Sequence, residues 1–141
     1  METWILVEDE PDLYDMILAM YATLGVNGVA FATGREATDW LNVVNHGHFH
    51  DELPTLALVD IRLPDEGISG LDIASQMRSS PYLADITIIL MTAYHLSPEQ
   101  EREALHRSGA DYLLYKPLPK LDALERLFYD LIARRQGRST P

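Results

Sequence analysis

The sequence predicts an α/β fold built on a doubly wound, five-stranded parallel sheet. Short apolar runs alternate five times with segments whose apolar residues recur at helical spacing. The central runs are apolar throughout, as expected for strands that are buried on both faces of a parallel sheet. The 141 residues suit one domain. Right-handed crossovers in so short a sheet favour the strand order 2-1-3-4-5.

Five apolar runs are interpreted as the strands. The first stops abruptly at a group of acidic residues, and the second is weaker than the others. The third ends at Asp60, the fourth and strongest ends at Thr92, and the fifth ends at Lys116. In chain order, the predicted strands occupy residues 4–7, 29–32, 56–59, 86–91 and 112–115.

The segments between these runs are predicted to be helices from their apolar spacing and end signals. Pro11 suits the first turn of the first helix, and Gly25 suits the position after its end. Thr33 with Glu36, and Ser97 with Gln100, form capping-box patterns that open the second and fourth helices. The predicted helices are 11–24, 34–44, 71–77, 98–108 and 121–135, and residues 45–54 are predicted to form a polar loop. We expect one domain over residues 1–135, followed by a flexible tail at 136–141.

Composition excludes several classes of function. The chain has 22 acidic and 11 basic residues, a net charge of −11, and residues 1–60 hold 11 of the acids with Arg35 as the single base. This balance disfavours nucleic acid as a partner. The absence of cysteine excludes disulfides and thiolate chemistry. No apolar run approaches the roughly 20 residues that span a membrane, and the start lacks a secretory signal, so we expect a cytoplasmic protein that does not bind membranes.

Polar side chains follow the strands at the edge where doubly wound sheets bind ligands. Glu8 and Asp9 come after the first strand, and Asp60, Thr92 and Lys116 come after the third, fourth and fifth. Three carboxylates this close stay ionised only beside a cation, and Mg²⁺ prefers such oxygen ligands. An Asp carboxylate can also form an aspartyl-phosphate. Asp60 is the best nucleophile because it ends the central strand, and Thr92 and Lys116 would then neutralise the phosphoryl oxygens.

Four blocks of the sequence together resemble the receiver domain of two-component response regulators, a CheY-like family with a flavodoxin-like fold. The blocks are Ile5–Pro11, Asp60–Pro64, Met91–Ala93, and Gly109–Asp111 with Lys116–Pro117. The likeness covers about residues 3–133, with every block in the family's order.

The resemblance implies a signalling function for the acidic edge. Receiver domains take a phosphoryl group from a histidine kinase or a histidine phosphotransfer protein, here onto Asp60. The implied Mg²⁺ ligands are the side chains of Glu8, Asp9 and Asp60 and the backbone carbonyl of Arg62. Thr92 and Lys116 would contact the phosphoryl group, and the Lys116–Pro117 bond would be cis. Such a module catalyses only its own phosphorylation and a slow dephosphorylation.

The resemblance also implies that output passes through protein contacts. The family's usual interaction face consists of helix four, strand five and helix five, which corresponds here to about residues 98–135. We expect an unidentified downstream protein, or a second copy of this chain, to bind there.

Three departures from the family pattern bear on mechanism. Leu113 occupies the position of the usual switch aromatic, while Tyr112 and Tyr115 are expected on the opposite face of the strand. The loop from Pro64 to Gly70 is a little longer than the commonest form. Bulky residues, Arg62 and Tyr94, occupy two positions that tune phosphoryl lifetime in the family, which predicts slow autodephosphorylation.

Two other functions are compatible with these residues. Leu113 would also suit a receiver-like scaffold that binds proteins without phosphorylation. A phosphohydrolase with an Asp nucleophile usually has a second Asp two residues further on, where this chain has Arg62. Acidic residues after a strand are also common as simple helix N-caps, which is the structural alternative for Glu8 and Asp9.

Overall fold

The fold was obtained as a computed structural model, which describes residues 2–49 and 52–139. Five parallel strands form one sheet in the spatial order second, first, third, fourth, fifth, so the predicted fold class and strand order are confirmed. The strands are β1 (Thr3–Val7), β2 (Asn27–Phe31), β3 (Leu56–Asp60), β4 (Thr87–Thr92) and β5 (Tyr112–Tyr115). The helices are α1 (Pro11–Thr23), α2 (Gly34–Asn45), α3 (Gly70–Arg78), α4 (Pro98–Ser108) and α5 (Leu121–Ser139).

The core consists of two apolar layers, one on each face of the sheet. Alternate residues of a strand point to opposite faces, so β1, β3 and β4 contribute to both layers. Ile5, Ala57 and Ile88 pack beneath α2, α3 and α4, while Leu6 and Leu58 pack with α1 and α5. Every residue of these three strands is buried. Burial on both faces explains why their sequences are apolar without alternation.

Two element boundaries differ from the predicted ones by two residues or more, and the others agree to within one residue. β2 begins at Asn27, two residues before the predicted start, because its whole length pairs with β1 from Thr3↔Asn27 to Val7↔Phe31. α5 continues through Gly137 to Ser139, four residues past the predicted end at Arg135. Residues 140–141 of the predicted tail, and 50–51 of the predicted loop, lie outside the described residues.

Other features agree with the sequence predictions. Ser97 caps α4 through the predicted capping box with Gln100, and Gly109 ends that helix at φ 72°. The Lys116–Pro117 bond is cis. No helix among the described residues combines the length and apolar character that crossing a membrane requires.

Candidate functional site

The carboxyl ends of the strands bring the predicted side chains to one edge of the sheet. Glu8 directly follows β1, and its amide donates to the carbonyl of Phe31 at 3.0 Å, which continues the pairing with β2. Asp60 and Thr92 are the last residues of β3 and β4. β3 pairs with both β1 and β4, so Asp60 lies between the other two positions.

An ammonium group joins two of these carboxylates. Lys116 Nζ lies 2.7 Å from Glu8 Oε1 and 2.8 Å from Asp60 Oδ2. Glu8 is fully buried and Asp60 is 5% exposed, whereas Asp9 is exposed. Burial would lower the pKa of Lys116, but its hydrogen bonds to Asp60 and Glu8 outweigh that effect and raise it. Lys116 is therefore held as a cation.

The three carboxylates carry more negative charge than one ammonium neutralises. Burial, and then the neighbouring Asp60, raise the pKa of Glu8 to about 8, although Lys116 opposes the shift. Glu8 Oε2 is buried and has no hydrogen-bond partner among the described residues. One oxygen from each of Glu8, Asp9 and Asp60 lies within 4.8 Å of the others. An orphaned buried oxygen in a cluster of hard oxygen ligands fits a divalent cation such as Mg²⁺.

Backbone amides donate hydrogen bonds to two other side-chain oxygens of the site, one on Asp60 and one on Thr92. Arg62 N donates to Asp60 Oδ1 at 3.2 Å, so the backbone of Arg62 is held against the acidic cluster. Tyr94 N donates to Thr92 Oγ1 at 3.1 Å. A cleft of about 190 Å³ opens over these groups, and its lining includes Asp9, Asp60, Arg62, Thr92 and Lys116.

Arg62 and Tyr94 contact each other across this cleft. The Arg62 guanidinium lies 4.6 Å from the centre of the Tyr94 ring and donates a hydrogen bond to its hydroxyl. Both side chains line the cleft, and Tyr94 is 53% exposed. The two bulky side chains that the sequence predicts near Asp60 therefore contact each other in the lining of the cleft.

The N-cap of α1 is Glu10, and not Glu8 or Asp9, for which the sequence left this function open. Glu10 caps α1, since its carboxylate accepts from the amides of Asp12 and Leu13 at 3.2 and 2.7 Å. Glu8 and Asp9 are consequently free of that function and turn to the sheet edge with Asp60.

The expectation for Tyr115 is wrong. Tyr115 donates to Glu101 on α4, and its ring stacks on His95 with centroids 5.8 Å apart. Leu113 packs against the layer that includes Ala104 of α4. Residues two apart on a strand share a face, so Tyr115 lies on the same face as Leu113 and supplies an aromatic ring beside α4.

A close backbone approach, which the sequence did not reveal, closes the loop after Asp60. Gly70 N donates to the carbonyl of Ile61 at 2.7 Å. A Cβ on Gly70 would lie 1.9 Å from the carbonyl oxygen of Asp60. Only glycine fits there, because the obstructing atom is backbone and cannot rotate away. The loop before Gly70 and the Ser69–Asp72 capping box were the available sequence signals.

Comparison with known families gives one match over most of the chain. Residues 5–128 match the response regulator receiver domain. LuxO, the luminescence regulatory protein of Vibrio campbellii, is 31% identical over 109 residues, which are 77% of this chain and 21% of LuxO. PhoB, the phosphate regulon transcriptional regulatory protein of Pseudomonas aeruginosa, is 27% identical over 136 residues, which are 96% of this chain and 53% of PhoB. This chain thus spans about a fifth of LuxO and about half of PhoB.

Solved structures of receiver domains are similar to this fold over nearly their whole length. The CheY-like receiver domain protein from Methanospirillum hungatei superposes with a TM-score of 0.75 at 22% identity, covering 99% of both chains. The receiver domain of the sensor histidine kinase PA1611 from Pseudomonas aeruginosa, with a magnesium ion coordinated in its active site cleft, gives 0.74 at 26% identity. That match covers 94% of this chain and 98% of the other.

Proposed function

The chain belongs to the response regulator receiver domain family, and from that premise we propose that Asp60 accepts a phosphoryl group in a two-component phosphorelay. The donor is the phosphohistidine of a histidine kinase or of a histidine phosphotransfer protein. The observation that carries this proposal is the position of Asp60, a buried carboxylate bonded to Lys116 Nζ at 2.8 Å and placed between acidic residues at the sheet edge.

The transfer balances as a direct displacement at phosphorus. A carboxylate oxygen of Asp60 attacks, an O–P bond forms, and the P–N bond to the donor imidazole breaks. The leaving imidazole takes up a proton from solvent. Preorganised positive groups stabilise the charge on the phosphoryl oxygens, and we assign this function to the Lys116 ammonium. The Thr92 hydroxyl donates to a phosphoryl oxygen once Asp60 is phosphorylated.

Glu8, Asp9, Asp60 and the backbone carbonyl of Arg62 are the proposed Mg²⁺ ligands. The unpartnered Oε2 of Glu8 and the 4.8 Å grouping of ligand oxygens support this assignment. Bound Mg²⁺ would supply positive charge to the transferring phosphoryl group. The contribution of this chain is to hold the carboxylates at that position, since Lys116 and the amide of Arg62 fix the two oxygens of Asp60.

Phosphorylation then acts on protein contacts. Receiver domains are signalling modules, and we propose that this chain catalyses only its own phosphorylation and a slow loss of the phosphoryl group. The proposed output surface is α4, β5 and α5, which would bind an unidentified downstream protein or a second copy of the chain. With a net charge of −11, this chain is proposed to bind neither nucleic acid nor membranes and to act in the cytoplasm.

The proposal is tested by labelling the chain with acetyl phosphate and Mg²⁺ and measuring phosphorylation on a phosphate-affinity gel. Wild type should be labelled, and labelling should stop when Mg²⁺ is chelated. Asp60→Asn should remain unlabelled. Asp12→Asn is the matched control, because Asp12 is an exposed acid on α1, and it should behave as wild type. Labelling of Asp60→Asn at the wild-type rate would place the acceptor elsewhere.

A second function, a scaffold that binds partners without phosphate, is favoured by one observation. Leu113 is already packed into the layer beneath α4, so the usual switch position offers no aromatic side chain to move. In this case, a partner would bind with the same affinity in the presence and absence of the acyl-phosphate mimic beryllofluoride. A change in partner affinity on adding beryllofluoride with Mg²⁺ would exclude the scaffold.

A further inference from the structure

The loop that follows Asp60 contacts the start of α2 through Asp65. Asp65 Oδ1 accepts from Gly34 N at 2.6 Å, and Asp65 Oδ2 accepts from Arg35 N at 3.1 Å. Ile68 packs on the same point, since a Cβ on Gly34 would lie 2.6 Å from Ile68 Cγ2. Both contacts thus come from the segment between Pro64 and Gly70.

Asp65 is suited to this contact by charge as well as by geometry. The first amides of a helix are unpaired donors with a partial positive charge, and they bind carboxylates favourably. The hydrogen bond from Gly34 lowers the pKa of Asp65 most, burial opposes that shift, and the bond from Arg35 adds to it, so the pKa stays below its ordinary value. The carboxylate is therefore ionised when it binds the helix.

The first residues of the same loop are part of the candidate site. Arg62 N donates to Asp60 Oδ1 at 3.2 Å, and Gly70 N closes the loop onto Ile61 at 2.7 Å. Arg62 lies between this closure and Asp65. Its backbone is therefore held from two sides, by Asp60 and by the attachment of Asp65 to α2.

We propose that Asp65 is a positioning residue for the phosphorylation site. Its bonds to the start of α2 fix the loop so that the backbone of Arg62 stands ready beside Asp60 for the Mg²⁺-dependent reaction. This inference rests on the proposed function. α2 itself has another cap, since Thr33 Oγ1 accepts from Glu36 N at 3.1 Å, so the contact with Asp65 serves the loop rather than the start of the helix alone.

The test compares Asp65→Ala with Thr33→Ala, a matched variant that weakens the same helix start and leaves the loop attachment in place. Mg²⁺ affinity is measured by titration calorimetry, and amide hydrogen exchange of residues 61–69 is measured without metal. Residues that support metal ligands typically change affinity by about 10–100-fold when removed. We expect Asp65→Ala to weaken Mg²⁺ binding about tenfold, to speed exchange in the loop, and to slow acetyl phosphate labelling.

The control Thr33→Ala and one further variant, Asp65→Asn, decide the inference. Thr33→Ala should bind Mg²⁺ as wild type does, and Asp65→Asn should recover part of the lost affinity, since its amide oxygen still accepts one bond. Equal Mg²⁺ affinity in Asp65→Ala and wild type, or equal losses in Asp65→Ala and Thr33→Ala, would overturn the positioning role. If wild type itself neither binds Mg²⁺ nor is labelled, the proposed function fails and the inference fails with it.

Discussion

The two edges of the sheet both contain buried charges, but they balance them differently. At the carboxyl edge, one ammonium bonds to two of three clustered carboxylates, and Glu8 Oε2 has no hydrogen-bond partner among the described residues. At the amino edge, Asp111 is shared by two guanidinium groups, with bonds of 3.1 Å to both Arg78 and Arg135. The carboxyl edge therefore has fewer cationic groups than carboxylates, whereas the carboxylate of Asp111 at the amino edge is paired with two cationic groups.

Hydrogen bonds complete the amino edge. Arg78 also donates to the carbonyls of Gly109, Ala84 and Ile86 at 3.0, 2.7 and 2.6 Å. Burial, and then the charge of Arg135, lower the pKa of Arg78, and Asp111 opposes that shift. A satisfied buried network of this kind stabilises a fold, whereas an incompletely neutralised cluster indicates a ligand. The difference in neutralisation separates a structural charge cluster from a functional one.

The largest expected effect is at the amino edge. Asp111→Ala removes the carboxylate shared by two half-buried guanidinium groups, which leaves like charges close together. Breaking a buried ion pair typically costs about 3–5 kcal/mol, so we expect the free energy of unfolding to fall by about 4 kcal/mol in urea denaturation. Arg134→Ala is the control, because its ion pair with Asp130 is exposed, and it should change stability by less than about 1 kcal/mol. Equal losses in the two variants would contradict a structural role for Asp111.

The next effect concerns the loop closure beside Asp60. Gly70→Ala places a methyl group 1.9 Å from the carbonyl oxygen of Asp60, and forced overpacking costs about 1–3 kcal/mol or more. We expect about 3 kcal/mol lower stability together with loss of acetyl phosphate labelling. Gly137→Ala, where no atom lies within 4 Å of the new methyl group, should be slightly more stable because alanine favours a helix. A fully labelled, stable Gly70→Ala would show that the backbone approach is not tight.

A smaller effect of opposite sign is expected at the carboxyl edge. Glu8→Gln replaces a carboxyl group whose ionised form is disfavoured in the folded chain by burial and by Asp60, while Lys116 keeps its bond to Asp60. Without Mg²⁺ at pH 7, we expect stability to rise by about 1 kcal/mol, because a carboxyl group whose pKa is raised by folding costs stability above its unfolded pKa and glutamine has no such cost. Mg²⁺ affinity, measured by calorimetry, should fall at the same time. Lower stability without metal would mean that the carboxylates at this edge are as well neutralised as Asp111.

The smallest effect concerns the contact between Arg62 and Tyr94 in the lining of the cleft. Both side chains line the cleft that contains Asp60, and we expect that removing them gives water easier access to the phosphoryl group. The double variant Arg62→Ala, Tyr94→Ala should lose its phosphoryl group several-fold faster than wild type, a change of about 1 kcal/mol in barrier. Decay is measured by the loss of label after the phosphodonor is removed. Decay at the same rate in both proteins would refute a shielding role.

Most of the fold could be predicted because its signals are local. The buried strands are continuous apolar runs, and Ser97, Gly109 and Pro11 mark helix ends by their own backbone chemistry. The start of β2 could not be predicted from the local sequence, because Asn27 is part of the strand only through its pairing with Thr3 of β1. The end of α5 was placed too early because its last turns carry the polar and glycine residues that usually end a helix.

The candidate site was predictable for a different reason. Each of its residues ends a strand or closely follows one, and parallel strands bring their carboxyl ends together, so the topology brings Asp60 close to Lys116. Contacts between distant loops have no such rule. The bonds of Asp65 to α2 and the sharing of Asp111 between Arg78 and Arg135 join residues more than 20 positions apart. The face of Tyr115 is also predictable from the sequence, because a residue two positions from Leu113 on the same strand lies on the same face.

The most direct test of the central claim locates the phosphoryl group itself. Wild-type protein is labelled with acetyl phosphate and Mg²⁺, the acyl phosphate is trapped by borohydride reduction, and the modified peptide is identified by mass spectrometry. We predict a single reduced residue at Asp60, within the peptide that contains β3, and unmodified Asp111. Trapping at another carboxylate, or no trapped product from labelled protein, would contradict the assignment of the under-neutralised edge as the phosphorylation site.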